Sequence, residues 1–285
     1  MKKYTKWILI VIWLICLSFL WTKVFAQTNN QSYTTRLRNT SLISSNPDAV
    51  VENLVSNSIN EVYLQIDQTI SPKIYQSFIK KCLNKDIHIY ALDGSAKRTL
   101  DKNAAQSLIN WVATYNKKNP RYSFEGIHLD VEPYLLLWWK SNQAKIILAY
   151  QTVVTITKNL ASKKWLSLTM DIPFWFDEIT YKNKFGKWNL GERIIKNTDW
   201  IAVMAYRDTA KTILPLIKNE YMYANKYKKK LIIWLETNPS SEWKNVTFYE
   251  EGSTILHQEI SNLLDTYWEL NIALHDYEWI RTLKE

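Results

Sequence analysis

FEGIHLDVE, residues 124–132, is the stretch of the sequence that decides the fold. Side chains alternate between the two faces of a β-strand, so this stretch has one polar and one apolar face. The polar face carries Gly126, His128, Asp130 and Glu132, and the apolar face carries Ile127, Leu129 and Val131. Such a strand fits a closed barrel, in which apolar side chains pack against outer helices and polar side chains point into the interior.

Seven further short segments have the β-branched and aromatic composition of strands. They are residues 34–40, 61–67, 87–93, 166–173, 200–206, 231–236 and 271–277. Amphipathic stretches predicted to be helices lie between them, beginning at Pro47 and Pro72 and then covering 101–117, 142–158, 189–196, 210–227 and 254–268. Strict alternation over eight units predicts parallel strands and, at this chain length, a single (β/α)8 TIM barrel.

An open, doubly wound sheet is the alternative arrangement of alternating strands and helices. That fold binds dinucleotides or phosphates through glycine-rich loops that follow its strands. The chain has only five glycines, and no glycine-rich loop follows any predicted strand. The sequence therefore favours the barrel, gives almost no support to dinucleotide or P-loop chemistry, and predicts no cofactor.

The first 26 residues have the pattern of a secretory signal peptide. Basic Lys2, Lys3 and Lys6 precede an apolar run over 7–21, and a small residue, Ala26, ends a typical cleavage site. We expect residues 1–26 to be a signal peptide or an uncleaved membrane anchor, and residues 27–285 to be the barrel domain. The predicted location is secreted or at the cell surface, with the membrane contacted only through the N-terminal segment.

Charge and cysteine content narrow the class of partner. Without the four lysines of the leader, the 36 basic residues fall to 32, against 27 acidic residues. The lysine-rich run 226–230 precedes an apolar strand and is better interpreted as a solvated helix end than as a nucleic-acid site. Only Cys82 remains after cleavage, so no intramolecular disulfide is expected. We expect a monomer that does not bind nucleic acid.

Polar residues collect at the carboxyl ends of the predicted strands, where barrels build their active sites. They are Asp67, Asp93, Asp130, Glu132, Asp171, Tyr206, Asp208, Glu236 and Asp276. Crowded carboxylates repel one another, and such repulsion is tolerated where shifted pKa values serve binding or acid–base chemistry. Glu132, two residues beyond Asp130 on the same face, is therefore expected to hold its proton near neutral pH, as a general acid must.

Two motifs resemble those of family 18 glycoside hydrolases, the chitinase-like barrels. Residues 124–132 are similar to the family's fourth-strand signature, and residues 204–208 are similar to its sixth-strand Met-x-Tyr-Asp with Arg207 inserted. The resemblance implies a hydrolase of amino-sugar polymers that uses the substrate's own acetamido oxygen as nucleophile. It implies that Glu132 is the proton donor, that Asp130 orients the acetamido group and that Tyr206 bonds the same oxygen. Sugar contacts are then expected from His128, Asp93, Asp171, Trp175, Arg207, Glu236, Asp276 and Trp279.

The sequence departs from the family pattern at two carboxylate positions, which hold Glu125 and His128. We expect His128, in place of a carboxylate that shares charge with Asp130, to change the pH dependence of activity. The alternatives are a barrel that binds sugar without catalysis, and a conventional two-carboxylate mechanism with Asp171 or Glu236 as the second acid. A cell-wall amidase would need a metal cluster, and the spacing of the histidines gives no sign of one.

Overall fold

The computed structural model describes residues 31–241 and 245–285, and Tyr33–Glu285 form one compact unit. The predicted signal peptide, residues 1–26, lies outside the described residues. Eight parallel strands form a closed barrel, which confirms the predicted fold. They are β1 (Tyr33–Leu37), β2 (Ile59–Gln65), β3 (His88–Asp93), β4 (Gly126–Leu129), β5 (Ser167–Pro173), β8 (Trp200–Met204), β9 (Lys230–Glu236) and β10 (Asn271–His275). Each strand pairs with the next in this order, and β10 closes on β1.

Helices follow the strands as the sequence pattern predicts. They are α1 (Leu42–Ser45), α2 (Pro47–Ser56), α3 (Pro72–Leu83), α4 (Lys102–Lys118), α5 (Trp139–Lys163), α6 (Leu190–Lys196), α7 (Ala210–Leu216), α8 (Lys218–Tyr227), α9 (Gly252–Thr266) and α10 (Tyr277–Ile280). Ser71 caps α3, and Asp101 caps α4 through the amides of Asn103 and Ala104. No helix in the described ranges is long and apolar enough to cross a bilayer.

Several elements differ from the sequence prediction, most clearly in three places. The expected helix 210–227 is divided at Ile217, directly after a turn that contains Pro215, which lacks an amide hydrogen. The fourth strand ends at Leu129, three residues early, although the Asp130 amide still bonds the Asp93 carbonyl at 3.0 Å. An antiparallel hairpin of β6 (Thr180–Asn183) and β7 (Gly186–Asn189), which the sequence pattern did not predict, follows β5.

The interior of the barrel is separate from the apolar layer between strands and helices. Its buried apolar residues are Tyr63, Tyr90, Leu92, Ala202, Met204, Ile232, Trp234 and Ala273. Toward the carboxyl ends of the strands, charged side chains replace them. There the β3 loop approaches β4 so closely that a Cβ atom on Gly94 would lie 2.0 Å from the Asp130 carbonyl oxygen. Only glycine fits at this position, and the close contact fixes the backbone at Asp130.

Candidate active site

Arg36, on β1, is the centre of the polar cluster inside the barrel. Its side chain is only 2% exposed, and its Nη1 and Nη2 atoms lie 3.0 Å from Asp130 Oδ2 and 2.8 Å from Asp171 Oδ2. The guanidinium carbon also lies 4.4 Å from the centre of the Trp234 ring. An arginine stays charged in a protein, so its burial costs free energy that these two carboxylates and the ring offset.

Asp171 is enclosed by donors on all sides. Besides Arg36, its Oδ2 atom lies 2.8 Å from His128 Nε2, and its Oδ1 atom accepts from Trp234 Nε1 at 2.6 Å. Burial alone would raise the pKa of this carboxyl, but the interactions with His128 and Arg36 outweigh burial and hold the pKa below its usual value. The side chain has no exposed surface. Asp171 therefore lies beneath the rim rather than at it, as a fixed anion that orients its neighbours.

His128 contacts a different carboxylate from the one expected. Its Nε2 atom bonds Asp171 rather than Asp130, and its ring stacks on Tyr63 with centroids 3.8 Å apart. His128 therefore does not hydrogen-bond Asp130, because Asp171 and Tyr63 hold its fully buried ring. Its effect on the pH dependence of activity stays a prediction. His128 thus fills the barrel interior beneath the cleft.

Only one of the two carboxylate oxygens of Asp130 has hydrogen-bond partners among the described residues. Its Oδ2 atom accepts hydrogen bonds from both Arg36 and Arg38, and the Arg38 side chain remains 42% exposed. The other oxygen, Oδ1, is buried and has no hydrogen-bond partner among the described residues. Asp130 therefore has one oxygen fixed by two positive charges and one acceptor left open.

Glu132 follows β4 at the rim, directly before Pro133 and a 3₁₀ turn. The Tyr134 hydroxyl donates a hydrogen bond to its Oε2 atom. Burial, and next the charge of Asp130, raise the pKa of the Glu132 carboxyl, whereas the Tyr134 hydrogen bond opposes the rise. A carboxyl with a raised pKa keeps a proton to higher pH, which is the state that a general acid needs.

A cleft of about 680 Å³ opens above Glu132. It is lined by Glu132, Tyr134, Pro173, Phe174, Trp175, Met204, Tyr206, Arg207, Glu236, Asn238, Pro239, Ser240, Ser241 and Val246. The pKa of the Tyr206 hydroxyl is raised well above 10, chiefly by burial, so this group remains a hydrogen-bond donor. Aromatic rings and a few convergent polar groups are the usual lining of a ligand cleft.

Glu236, the second carboxylate of the cleft, is well supplied with donors. Its Oε1 atom accepts from the amides of Thr237 and Asn238 at 3.0 and 2.9 Å, and its Oε2 atom lies 2.8 Å from His275 Nδ1. The His275 ring in turn lies parallel to Tyr206, with centroids 5.9 Å apart. Glu236 and Tyr206 are thereby held on the side of the cleft formed by β8, β9 and β10.

Five predicted sugar contacts do not line this cleft: His128 and Asp171 lie buried beneath it, and Asp93, Asp276 and Trp279 lie elsewhere. Asp93 pairs with Arg98 at 3.0 Å and lines a separate cavity of about 580 Å³. Asp276 caps α10 by accepting from the Glu278 amide, and Trp279 packs edge-on against Tyr249 with ring centroids 5.7 Å apart. The structure thus brings Glu132, Trp175, Tyr206, Arg207 and Glu236 together in the cleft, with Asp130 and His128 beneath it.

Known structures share this architecture, although no protein-family model and no curated sequence matches the chain. The spore cortex-lytic enzyme SleL of Bacillus megaterium aligns with a TM-score of 0.54 and 10% identity, over 90% of this chain and 74% of that one. The chitinase ICChI of Ipomoea carnea aligns at 0.52 and 12%, over 87% and 96% of the two chains. A family 18 chitinase of Cycas revoluta, solved in complex with (GlcNAc)3, aligns at 0.50 and 12%, over 88% and 96%.

The chain has the fold of the chitinase-like barrels. The resemblance inferred from two short motifs is therefore confirmed at the level of fold.

Glu125 lies at the opposite end of β4 from Glu132, with its carboxylate 3.3 Å from His88 Nδ1. No group of three or more histidine, cysteine or acidic side chains within 31–241 and 245–285 is arranged to hold a metal ion.

Five residues of the site were not predicted from the sequence. They are Arg36, Arg38, Tyr134, Trp234 and His275. A signal for Arg36 was present, since Arg36 shares one face of β1 with Thr34, and β1 is buried along its whole length. The same alternation places Trp234 on the face of Glu236. For Tyr134, beyond the end of β4, strand periodicity gave no indication.

Proposed function

We propose that the protein is an exported glycoside hydrolase that cleaves an amino-sugar polymer, such as a cell-wall glycan, chitin or a secreted polysaccharide. Glu132 is the general acid, Asp130 orients the substrate's acetamido group and Tyr206 bonds its oxygen. One observation carries the proposal: Glu132, whose pKa is raised, opens into an aromatic cleft directly beside an Asp130 that two arginines hold in place.

The chemistry follows from the free groups of the cleft. Glu132 transfers its proton to the glycosidic oxygen as the bond from that oxygen to C1 breaks. The acetamido oxygen of the same sugar bonds to C1, while Asp130, buried directly beneath the cleft, orients the acetamido group and the Tyr206 hydroxyl donates to the oxygen. Water then attacks C1 as the bond from C1 to the acetamido oxygen breaks, and the water gives a proton to Glu132, which leaves a new reducing end.

A two-carboxylate mechanism would have to use Glu236 rather than Asp171. Asp171 is enclosed by Arg36, His128 and Trp234 and has no exposed surface, so it cannot activate a water in the cleft. Glu236 lines the cleft, but two backbone amides and His275 occupy its lone pairs. The substrate's own acetamido group therefore explains the arrangement better than a second enzyme carboxylate does.

A non-catalytic sugar-binding barrel is the second candidate function. The two arginines that bond one oxygen of Asp130, together with His128 where the family has a carboxylate, favour it, because these contacts restrict the reorientation of the Asp130 side chain. Incubating the purified protein with chitin, de-peptidated peptidoglycan and amino-sugar exopolysaccharides tests both functions. Release of reducing ends supports the hydrolase, whereas binding without release supports the binding barrel.

Export is the remaining part of the proposal, and it is supported by the pattern of residues 1–26. We expect the protein in the medium or at the cell surface, with Gln27 as its N-terminus if the leader is cleaved. Cell fractionation followed by N-terminal sequencing measures this directly. Recovery of the intact chain as soluble cytoplasmic protein would contradict export without affecting the proposed chemistry.

A further inference from the structure

We infer that the cleft selects a glycan whose sugar carries a carboxylate, and that Arg207 is the residue that binds it. This inference deepens the proposed function and rests on it for the glycan backbone. It concerns a substituent that neutral chitin lacks. The acidic sugar lies next to the scissile bond, because Arg207 is adjacent in sequence to Tyr206 and lines the same cleft as Glu132.

Arg207 is held in the cleft by interactions that leave most of its donors open. Its Nη1 atom donates to the Tyr206 carbonyl oxygen at 2.6 Å, and its guanidinium carbon lies 5.6 Å from the centre of the Phe174 ring. A guanidinium has five N–H donors in a rigid fork. The backbone hydrogen bond and the Phe174 ring fix the orientation of the guanidinium. Its remaining N–H donors have no partner among the described residues and can bind a planar anion through two hydrogen bonds.

No carboxylate of the described residues lies within ion-pair distance of Arg207. The two carboxylates that share its cleft have other partners, since Glu132 accepts from Tyr134 and Glu236 from His275 and two amides. Arg36 and Arg38, by contrast, are committed to aspartates. The charge of Arg207 therefore has no internal partner within the described ranges and faces the ligand space.

The neighbours of Arg207 fit a sugar that bears a short acidic substituent. Phe174, Trp175 and Tyr134 provide rings along the same wall, and Trp175 packs edge-on against Tyr134 with centroids 5.1 Å apart. Rings bind the apolar faces of a sugar whether or not it is charged, so they do not discriminate. Among the described residues that line the cleft, only Arg207 carries a positive charge that distinguishes a carboxylate from the alcohol of equal size.

The test uses one glycan in two forms. De-peptidated peptidoglycan strands, in which alternate sugars carry a lactyl carboxylate, are compared with the same strands after chemical reduction of that carboxylate to an alcohol. Affinity is measured by calorimetry on the full chain carrying Glu132→Gln, so that the probes are not consumed. Arg207→Gln is added as the test substitution, and Arg121→Gln, at an exposed arginine before β4, as the matched control.

We expect reduction of the carboxylate to weaken binding by ~10–100-fold, which is the range for a hydrogen-bonded charge pair. Arg207→Gln should remove most of this difference, whereas Arg121→Gln should preserve it. Equal affinity for the two forms, equal weakening of both by Arg207→Gln, or no binding of either form would overturn the inference. Binding that prefers the acid, in a parent protein that releases no reducing ends, would support the inference and contradict only the proposed catalysis.

Discussion

The guanidinium of Arg36 lies 3.0 Å from Asp130 and joins that residue to Asp171 inside the barrel. Arg36 comes from β1, Asp130 follows β4 and Asp171 lies on β5. One side chain therefore connects β1 to two strands with which β1 does not pair. The position of Asp130 beneath the cleft therefore depends on a residue 94 positions away in the sequence.

Arg36→Met should destabilise the protein and disorder the floor of the cleft. Methionine approximates the volume of the side chain but leaves Asp171 without its guanidinium and Asp130 with only Arg38. Removing one member of a buried ion pair costs about 3–5 kcal/mol, because the remaining charge is uncompensated. The free energy of unfolding in urea measures the loss.

Arg38→Met is the matched control for this prediction. Arg38 contacts the same oxygen of Asp130 but is 42% exposed, and Asp130 would keep Arg36. Its removal should cost about 1 kcal/mol or less. Equal losses in the two variants would show that the buried bridge is not what fixes Asp130.

His128→Asp should make stability strongly dependent on pH, because the new carboxyl would face Asp171 in a fully buried site. Burial and the neighbouring charge raise the folded-state pKa of such a carboxyl above its unfolded value. The stability of the folded variant is then retained at low pH and lost as pH rises through the folded-state pKa of the new carboxyl. The difference in melting temperature between the variant and the parent should widen as pH rises from 5 to 8.

His128→Asn is the control, since asparagine has the size of aspartate but no ionisable group. We expect a smaller loss of stability that does not change across the same pH range. A pH-independent loss in His128→Asp, equal to that in His128→Asn, would show that the Asp171 contact is unimportant and that His128 only fills space.

Glu220, on α8, predicts a second pH effect away from the cleft. Its side chain is fully buried, and neither carboxylate oxygen has a partner among the described residues. Burial, with a smaller contribution from Asp177, raises the pKa of Glu220 to about 8. The folded state therefore holds a proton that the unfolded state has released, and stability should fall as pH rises from about 4.5 to about 8.

Glu220→Gln should remove this loss. At pH 8.5 and above, the variant should be more stable than the parent by up to a few kcal/mol, since each unit of pKa shift is worth about 1.4 kcal/mol, and near pH 5 the two should be similar. Glu52→Gln, at an exposed glutamate of α2, should leave the pH profile unchanged. Equal stabilisation by Glu220→Gln at every pH would contradict ionisation as the cause.

The alternation of strands and helices was predictable because it depends on local periodicity. Seven of the nine residues of 124–132 alternate polar and apolar character on opposite faces, and Ser71 and Asp101 begin their helices as expected. The pairing of His128 with Asp171 was not predictable, because it depends on the register between the neighbouring strands β4 and β5. The separation of Asp93 from the cleft likewise depends on Arg98, which lies in a 3₁₀ turn after β3.

Glu132 is the proposed general acid, and a substitution that removes only its proton tests that role. Glu132→Gln keeps the size of the side chain and can still bond Tyr134, but it has no proton to give. General acid catalysis contributes ~10²–10⁴-fold, or about 3–5 kcal/mol of barrier, so hydrolysis of an amino-sugar glycan should fall by that range. Glycan affinity and melting temperature should remain near those of the parent.

Glu125→Gln provides the matched control within the same motif, because Glu125 is exposed at the other end of β4. The deciding measurement is the initial rate of reducing-end release by the parent, Glu132→Gln and Glu125→Gln on one amino-sugar glycan that the parent cleaves. If Glu132 is the general acid, the initial rate should fall by at least ~100-fold in Glu132→Gln alone. Release by Glu132→Gln at the parental rate would contradict that role.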